Sequence, residues 1–144
     1  MIYFDSAYLL KCYLPEPHAQ LVRDLLIQHQ TAASCVFARM EFASGIRRAV
    51  REGKLTNADA VLIFSAMRQD DAFGLWTWLP LTPHIIQQVV EAFETLPDSV
   101  NVRTGDAVHL VCARESGFSE IYSNDQHLLA AAPHFGLVGK NVIP

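Results

Sequence analysis

Four carboxylates stand where metal-dependent chemistry would need them: Asp5, Glu41, Asp106 and Asp125. Asp5 closes the apolar opening Ile2-Tyr3-Phe4, and Asp125 follows a second apolar run at Ile121-Tyr122. Asp106 falls in the first turn of a helix expected after Thr104, and Glu41 lies inside one expected over 37–52. Carboxylates brought together repel, and each resists ionisation unless a cation or a hydrogen-bond donor compensates. A hard divalent ion, Mg²⁺ or Mn²⁺, is the natural compensator because it takes oxygen ligands. Such an ion activates water and stabilises charge developing on a phosphoryl group, so the set suggests phosphodiester hydrolysis. Taken singly, each acid also has an ordinary reading. Asp106 would offset a helix macrodipole, Asp125 would cap the helix after it, and Glu41 would face solvent. The four together, at strand-helix junctions, favour a site, although spacing alone names no substrate.

To bring these acids together, strands must end on one rim, where open parallel sheets bind their ligands. A short strand over 2–5 is followed by a helix from Ser6 that Pro15 and Pro17 interrupt. Leu21, Val22, Leu25 and Leu26 recur at helical spacing, and 31–36 has strand character. The helix carrying Glu41 stops at Gly53, and Thr56 is a good cap for the next. A third strand is expected over 75–81, then a helix opened by Thr82-Pro83 and ended by Leu96-Pro97. Thr104 is expected to cap a helix over 105–116, with a strand at 120–123, a short helix at 127–132 and a last strand around Leu137-Val138. Strand and helix alternate throughout, which predicts an α/β fold with a parallel sheet covered on both faces.

At 144 residues the chain fits a single domain over 1–144, and with 51% hydrophobic and 18% charged residues it covers a substantial core. A formal net charge of −4 argues against holding nucleic acid by electrostatics alone. A nuclease escapes that objection if bound cations reverse the field at the acids. Cys12, Cys35 and Cys112 are isolated, so buried free thiols are expected rather than disulfides or a zinc knuckle. No apolar run approaches the roughly 20 residues needed to span a bilayer, and the first residues lack the pattern of a secretion signal. The expectation is a cytoplasmic protein.

Four segments resemble the PIN-domain endoribonucleases and, within them, the VapC-type toxins of toxin-antitoxin pairs. Ile2-Tyr3-Phe4-Asp5-Ser6-Ala7 resembles the family's first strand and its first acid. Glu41-Phe42-Ala43-Ser44, followed by Ile46-Arg47-Arg48, is similar to the helix carrying the family's Glu. Arg103-Thr104-Gly105-Asp106-Ala107-Val108-His109-Leu110 is similar to its Arg-x-x-Asp-Ala-x-His-Leu segment, and Ser123-Asn124-Asp125-Gln126-His127-Leu128-Leu129 to its last acidic motif. The last two are the most specific, and all four occur in order with no acid missing.

The resemblance implies a PIN-like three-layer fold, a five-stranded, mainly parallel sheet flanked by helices. It also implies a Mg²⁺ or Mn²⁺ site, RNA cleavage, homodimerisation, and inhibition by an antitoxin segment in the active-site groove. Asp5, Glu41, Asp106 and Asp125 carry over as the catalytic and metal-holding acids, with Ser6 and Asn124 as hydrogen-bonding neighbours that orient ligands or water. Arg39, Arg47, Arg48 and Arg103 are candidates for RNA phosphate contacts; as a charge run they also read as a solvated face, and Arg103 as a partner for a site carboxylate. His109 and His127 read as hydrogen-bonded structural residues, and the alternating Trp76 and Trp78 as packing rather than a base-stacking platform.

Two other classes compete. A non-catalytic PIN-like module binding RNA or protein would not need four intact acids. A phosphatase or phosphate acceptor using Asp5 as nucleophile would want a second Asp two residues later, where Ala7 stands, and no Gly-rich phosphate loop appears.

Overall fold

The computed structural model describes residues 1–144. In chain order the elements are β1 (Ile2–Tyr3), α1 (Ser6–Tyr13), α2 (Ala19–His29), β2 (Ala32–Cys35), α3 (Ala38–Arg51), α4 (Asn57–Ala72) and β3 (Trp76–Leu79). Then follow α5 (Pro83–Thr95), α6 (Thr104–Glu115), β4 (Glu120–Tyr122), α7 (Gln126–Ala131), a 3₁₀ turn (Ala132–Phe135) and β5 (Val138–Lys140).

All strand pairs are parallel, with β2 between β1 and β3 and a separate β4-β5 ladder. The two ladders meet at a single parallel bridge between Phe4 and Tyr122, where the Asp5 N–H donates to the Tyr122 carbonyl at 3.1 Å. The expected five-stranded sheet is therefore a three-plus-two arrangement hinged at β1 and β4. Its cause is local: Asp5 already caps α1, so the chain leaves the ladder after Phe4.

Alternation along the strands separates two cores. Ile2, Phe4, Ala32 and Trp76 face a cluster of 16 buried residues under α1 to α4, whereas Tyr3, Ala33 and Cys35 face one of 17 under α5 to α7. The clusters are of nearly equal size, so both faces are covered, as a parallel sheet requires. At Gly45 in α3 a Cβ would lie 2.7 Å from a Leu10 methyl, so the absent side chain lets α1 approach α3 closely.

Thr56 forms a full capping box with Asp59, and Thr82 caps α5 ahead of Pro83 at its first turn. Thr104 does not cap α6. It is already the first helical residue; extended Arg103 holds the cap position and makes no side-chain capping bond. Cys35 and Cys112 are buried free thiols and Cys12 is half-buried. No helix is long and apolar enough to cross a membrane.

Candidate functional site

Asp5 sits at the carboxyl end of β1 and caps α1, its Oδ1 accepting from the Tyr8 N–H at 2.9 Å. Its Oδ2 accepts from the Ser123 hydroxyl at 2.5 Å, and Ser123 Oγ in turn accepts from the Asp125 N–H at 2.9 Å. Ser123, fully buried at the end of β4, thus ties the first acid to the last. It was not among the residues singled out from the sequence. Ser6, expected in this role, is half-buried and makes no side-chain hydrogen bond to an acid.

Asp125 caps α7 through Oδ1, which accepts from the N–H groups of His127 and Leu128. Its Oδ2 lies 3.9 Å from Arg103 Nη2, the outer limit of an ion pair, and Arg103 is largely exposed. Asp106 is in the first turn of α6, and its Oδ2 is buried with no hydrogen-bond partner. Asn124 Oδ1 is in the same condition.

Glu41 arrives from α3, and its Oε1 accepts from His109 Nε2 at 2.7 Å. A Cβ added to Gly105 would lie 3.3 Å from Glu41 Oε2, so the missing side chain lets this carboxylate reach the first turn of α6, one residue from Asp106. What glycine contributes there is close approach, not a special backbone angle.

The charges are mutually felt. Burial pushes Asp5 up to about 6, with His109, Ser123 and the Tyr8 N–H opposing and the Asp106 charge adding to the rise. Asp106 is raised by burial and by the charge of Asp125, with Arg103 and His109 opposing. Burial lowers His109, but the hydrogen bond and charge of Glu41 and the charge of Asp5 outweigh it, so its net direction is upward.

No three Asp, Glu, His or Cys side chains converge tightly enough to enclose a metal ion. The donor set still suits Mg²⁺ or Mn²⁺. These ions keep several waters and need only one or two protein carboxylates, and Asp106 presents a buried oxygen with nothing bound to it.

The remaining candidates divide. Arg39 is held 3.3 Å from Asp71 and lies over the Trp78 ring at 5.2 Å, and Arg47 donates to Asn57 at 3.1 Å. Arg48 is exposed and makes no such bond. Trp76 is buried and stacks on Trp78, and their indole N–H groups donate to Tyr13 and Asp71. His127 is exposed, and its backbone alone touches Asp125. A cavity of about 680 Å³ beside the rim is lined by Lys11, Leu14, Lys54 and Leu55 among others and includes Asn124, but none of the four acids.

A PIN domain family model matches residues 2–133. Among solved structures, the VapC20 toxin of Mycobacterium tuberculosis, described as cleaving the Sarcin-Ricin loop, superposes with a TM-score of 0.70 at 16% identity, over 91% of this chain and 95% of that one. FitAcB from Neisseria gonorrhoeae superposes with a TM-score of 0.65 at 16% identity, over 98% and 97%. No curated protein matches by sequence. At such identities the structural likenesses speak for the fold.

Proposed function

The chain belongs to the PIN-domain family, and from that membership we propose that it is a Mg²⁺- or Mn²⁺-dependent endoribonuclease, the toxin of a VapC-type toxin-antitoxin pair, acting through Asp5, Glu41, Asp106 and Asp125. The observation that carries the reading is the unpartnered, buried Oδ2 of Asp106 beside carboxylates whose charges raise one another. An unsatisfied buried acceptor costs roughly 1–3 kcal/mol, and a cation would offset that cost.

The four acids take different parts. Asp106 Oδ2 and Glu41 Oε2 carry no protein hydrogen bond and are the oxygens available to an ion. Asp5 is oriented at both oxygens, by Tyr8 and Ser123, so its remaining lone pairs point in fixed directions. Asp125 caps α7 with one oxygen and keeps the other for the site. A divalent ion bound there supplies a water of lowered pKa and stabilises charge on the phosphoryl oxygens. Arg48 and Arg103, exposed and free of strong ion pairs, are the cations proposed to meet flanking phosphates.

A polymeric substrate suits a site on the rim better than a small molecule would, since the large neighbouring cavity does not include the acids. RNA as that polymer is supported by the name of VapC20, a toxin that cleaves the Sarcin-Ricin loop. An antitoxin is the partner such a toxin would have. Ile86, Val90 and Phe93 form an exposed apolar stripe on α5, about a quarter turn from the buried Ile85 and Val89, and this stripe is the face proposed for a homodimer.

The test is cleavage of a cellular RNA pool by partner-free protein, with Mn²⁺ or Mg²⁺ against a chelator and with Asp106→Asn in parallel. Cleavage that needs both the metal and Asp106 is expected. Tight RNA binding by folded protein without cleavage in any metal would instead favour a non-catalytic binding module.

A further inference from the structure

Glu41 is the one acid whose carboxylate is held by a side chain from the far side of the sheet, and that side chain is itself held. Tyr3 lies on the β1 face turned towards α6, fully buried, and its oxygen accepts from the Cys35 N–H at 3.1 Å. The same oxygen is 3.0 Å from His109 Nδ1, and His109 Nε2 is 2.7 Å from Glu41 Oε1. His109 is only 1% exposed, and its ring packs edge-on against Tyr3 and Phe37.

The direction of the chain follows from donor counting. An ionised carboxylate only accepts, so Nε2 must carry a proton for Glu41. Tyr3 already accepts from Cys35, and in the neutral ring Nδ1, 3.0 Å away, accepts the Tyr3 hydroxyl proton, with Cys112 the other neighbour of that hydroxyl. Every buried polar atom from Cys35 to Glu41 is then satisfied, with Oε1 engaged and Oε2 left towards Gly105 and Asp106.

We propose that Tyr3 and His109 form a buried relay, running from the Cys35 N–H to Glu41, that positions Glu41 for metal binding. Neither residue touches substrate or ion; both act through the orientation of one carboxylate oxygen. The proposal rests on the assignment of Glu41 as a metal-holding acid. It adds two positioning residues from a strand and a helix that the acidic motif does not include as acids.

Two substitutions separate positioning from packing. His109→Gln places an amide nitrogen near the former Nε2 and keeps a donor for Glu41. His109→Asn places its amide near the former Nδ1, facing Tyr3, and loses the reach to Glu41. Both remove the same imidazole from the same core, so a purely structural role would move them together.

The experiment is calorimetric titration of the full chain with Mn²⁺, with thermal unfolding as the control for folding and Tyr3→Phe as a second route to the same relay. His109→Asn is expected to weaken Mn²⁺ binding by about 10- to 100-fold, the usual effect of removing a hydrogen bond to a ligand. His109→Gln keeps most of the affinity, and Tyr3→Phe falls between them. In a Glu41→Gln background, His109→Asn costs no further affinity. Equal losses for Asn and Gln, or an unchanged affinity for Asn while Glu41→Gln abolishes binding, would overturn the relay alone. Unchanged Mn²⁺ binding in Glu41→Gln would overturn the assignment of Glu41 beneath it.

Discussion

Burial raises the Asp5 pKa from 3.8 to about 6, with three donors and charges pulling it back and Asp106 pushing it further. The sign of the consequence is fixed. Because the folded value is above the unfolded one, protonated Asp5 contributes stability that is full below pH 3.8 and lost as pH rises through about 6. A difference of about 2 between the two states corresponds to about 3 kcal/mol in the metal-free protein, an upper bound once water relaxes around the site. Asp5→Asn should therefore raise the Tm of metal-free protein by several degrees at pH 8 and barely at pH 4, while eliminating cleavage. Scanning calorimetry at the two pH values checks this, and an equal rise at both would show that the charge is not the cause. The four acids stand out in the sequence because Asp5 and Asp125 follow strands, Asp106 opens a helix and Glu41 lies in the helix after the second strand. Their partners were not: His109 meets Glu41 across 68 positions and Ser123 meets Asp5 across 118, and no local spacing encodes such pairs. The one local signal for Ser123 was its place at a strand end, two residues before an acid.

At the scale of elements, α6 must approach α3 closely enough for Glu41 and Asp106 to share a neighbourhood, and Gly105 permits it. Gly105→Ala would place a methyl 3.3 Å from Glu41 Oε2 while favouring the helix by up to ~1 kcal/mol. We expect unfolding to shift to equal or higher temperature while Mn²⁺ affinity and RNA cleavage fall together, a separation that thermal denaturation beside metal titration reads directly. Unchanged affinity would mean that the carboxylate has room to retreat. Caps at Thr56 and Thr82 were readable because their side chains meet the third amide of the same helix, an interaction contained in four residues. Thr104 misled for the complementary reason: α6 already begins at Thr104, so the cap position lies one residue earlier, at Arg103, whose side chain makes no capping bond. The sheet was legible as parallel and double-faced from its alternation, but not as three plus two. That division depends on Asp5 leaving β1 so early, a result of its capping duty.

For the whole molecule, a net charge of −4 leaves little general attraction for RNA, so the proposed RNA binding would rest on few cations and on a bound metal. Arg48 makes no ion pair and Arg103 meets Asp125 only at 3.9 Å, whereas Arg39 is tied to Asp71 and Trp78 and Arg47 to Asn57. Charge reversal at Arg48 and Arg103 should weaken RNA binding and flatten its salt dependence by about one phosphate contact each, and reversal at Arg39 should act mainly on stability. Fluorescence anisotropy over a salt series distinguishes them; identical slopes for all three would remove the phosphate role.

Anomalous diffraction at the manganese edge, from crystals grown with Mn²⁺, reads out whether these four acids hold a divalent ion. The expected result is a peak bounded by Asp5, Glu41, Asp106 and Asp125 and in contact with Asp106 Oδ2, absent in Asp106→Asn. A peak elsewhere on the molecule, or none in protein that cleaves RNA, would contradict it.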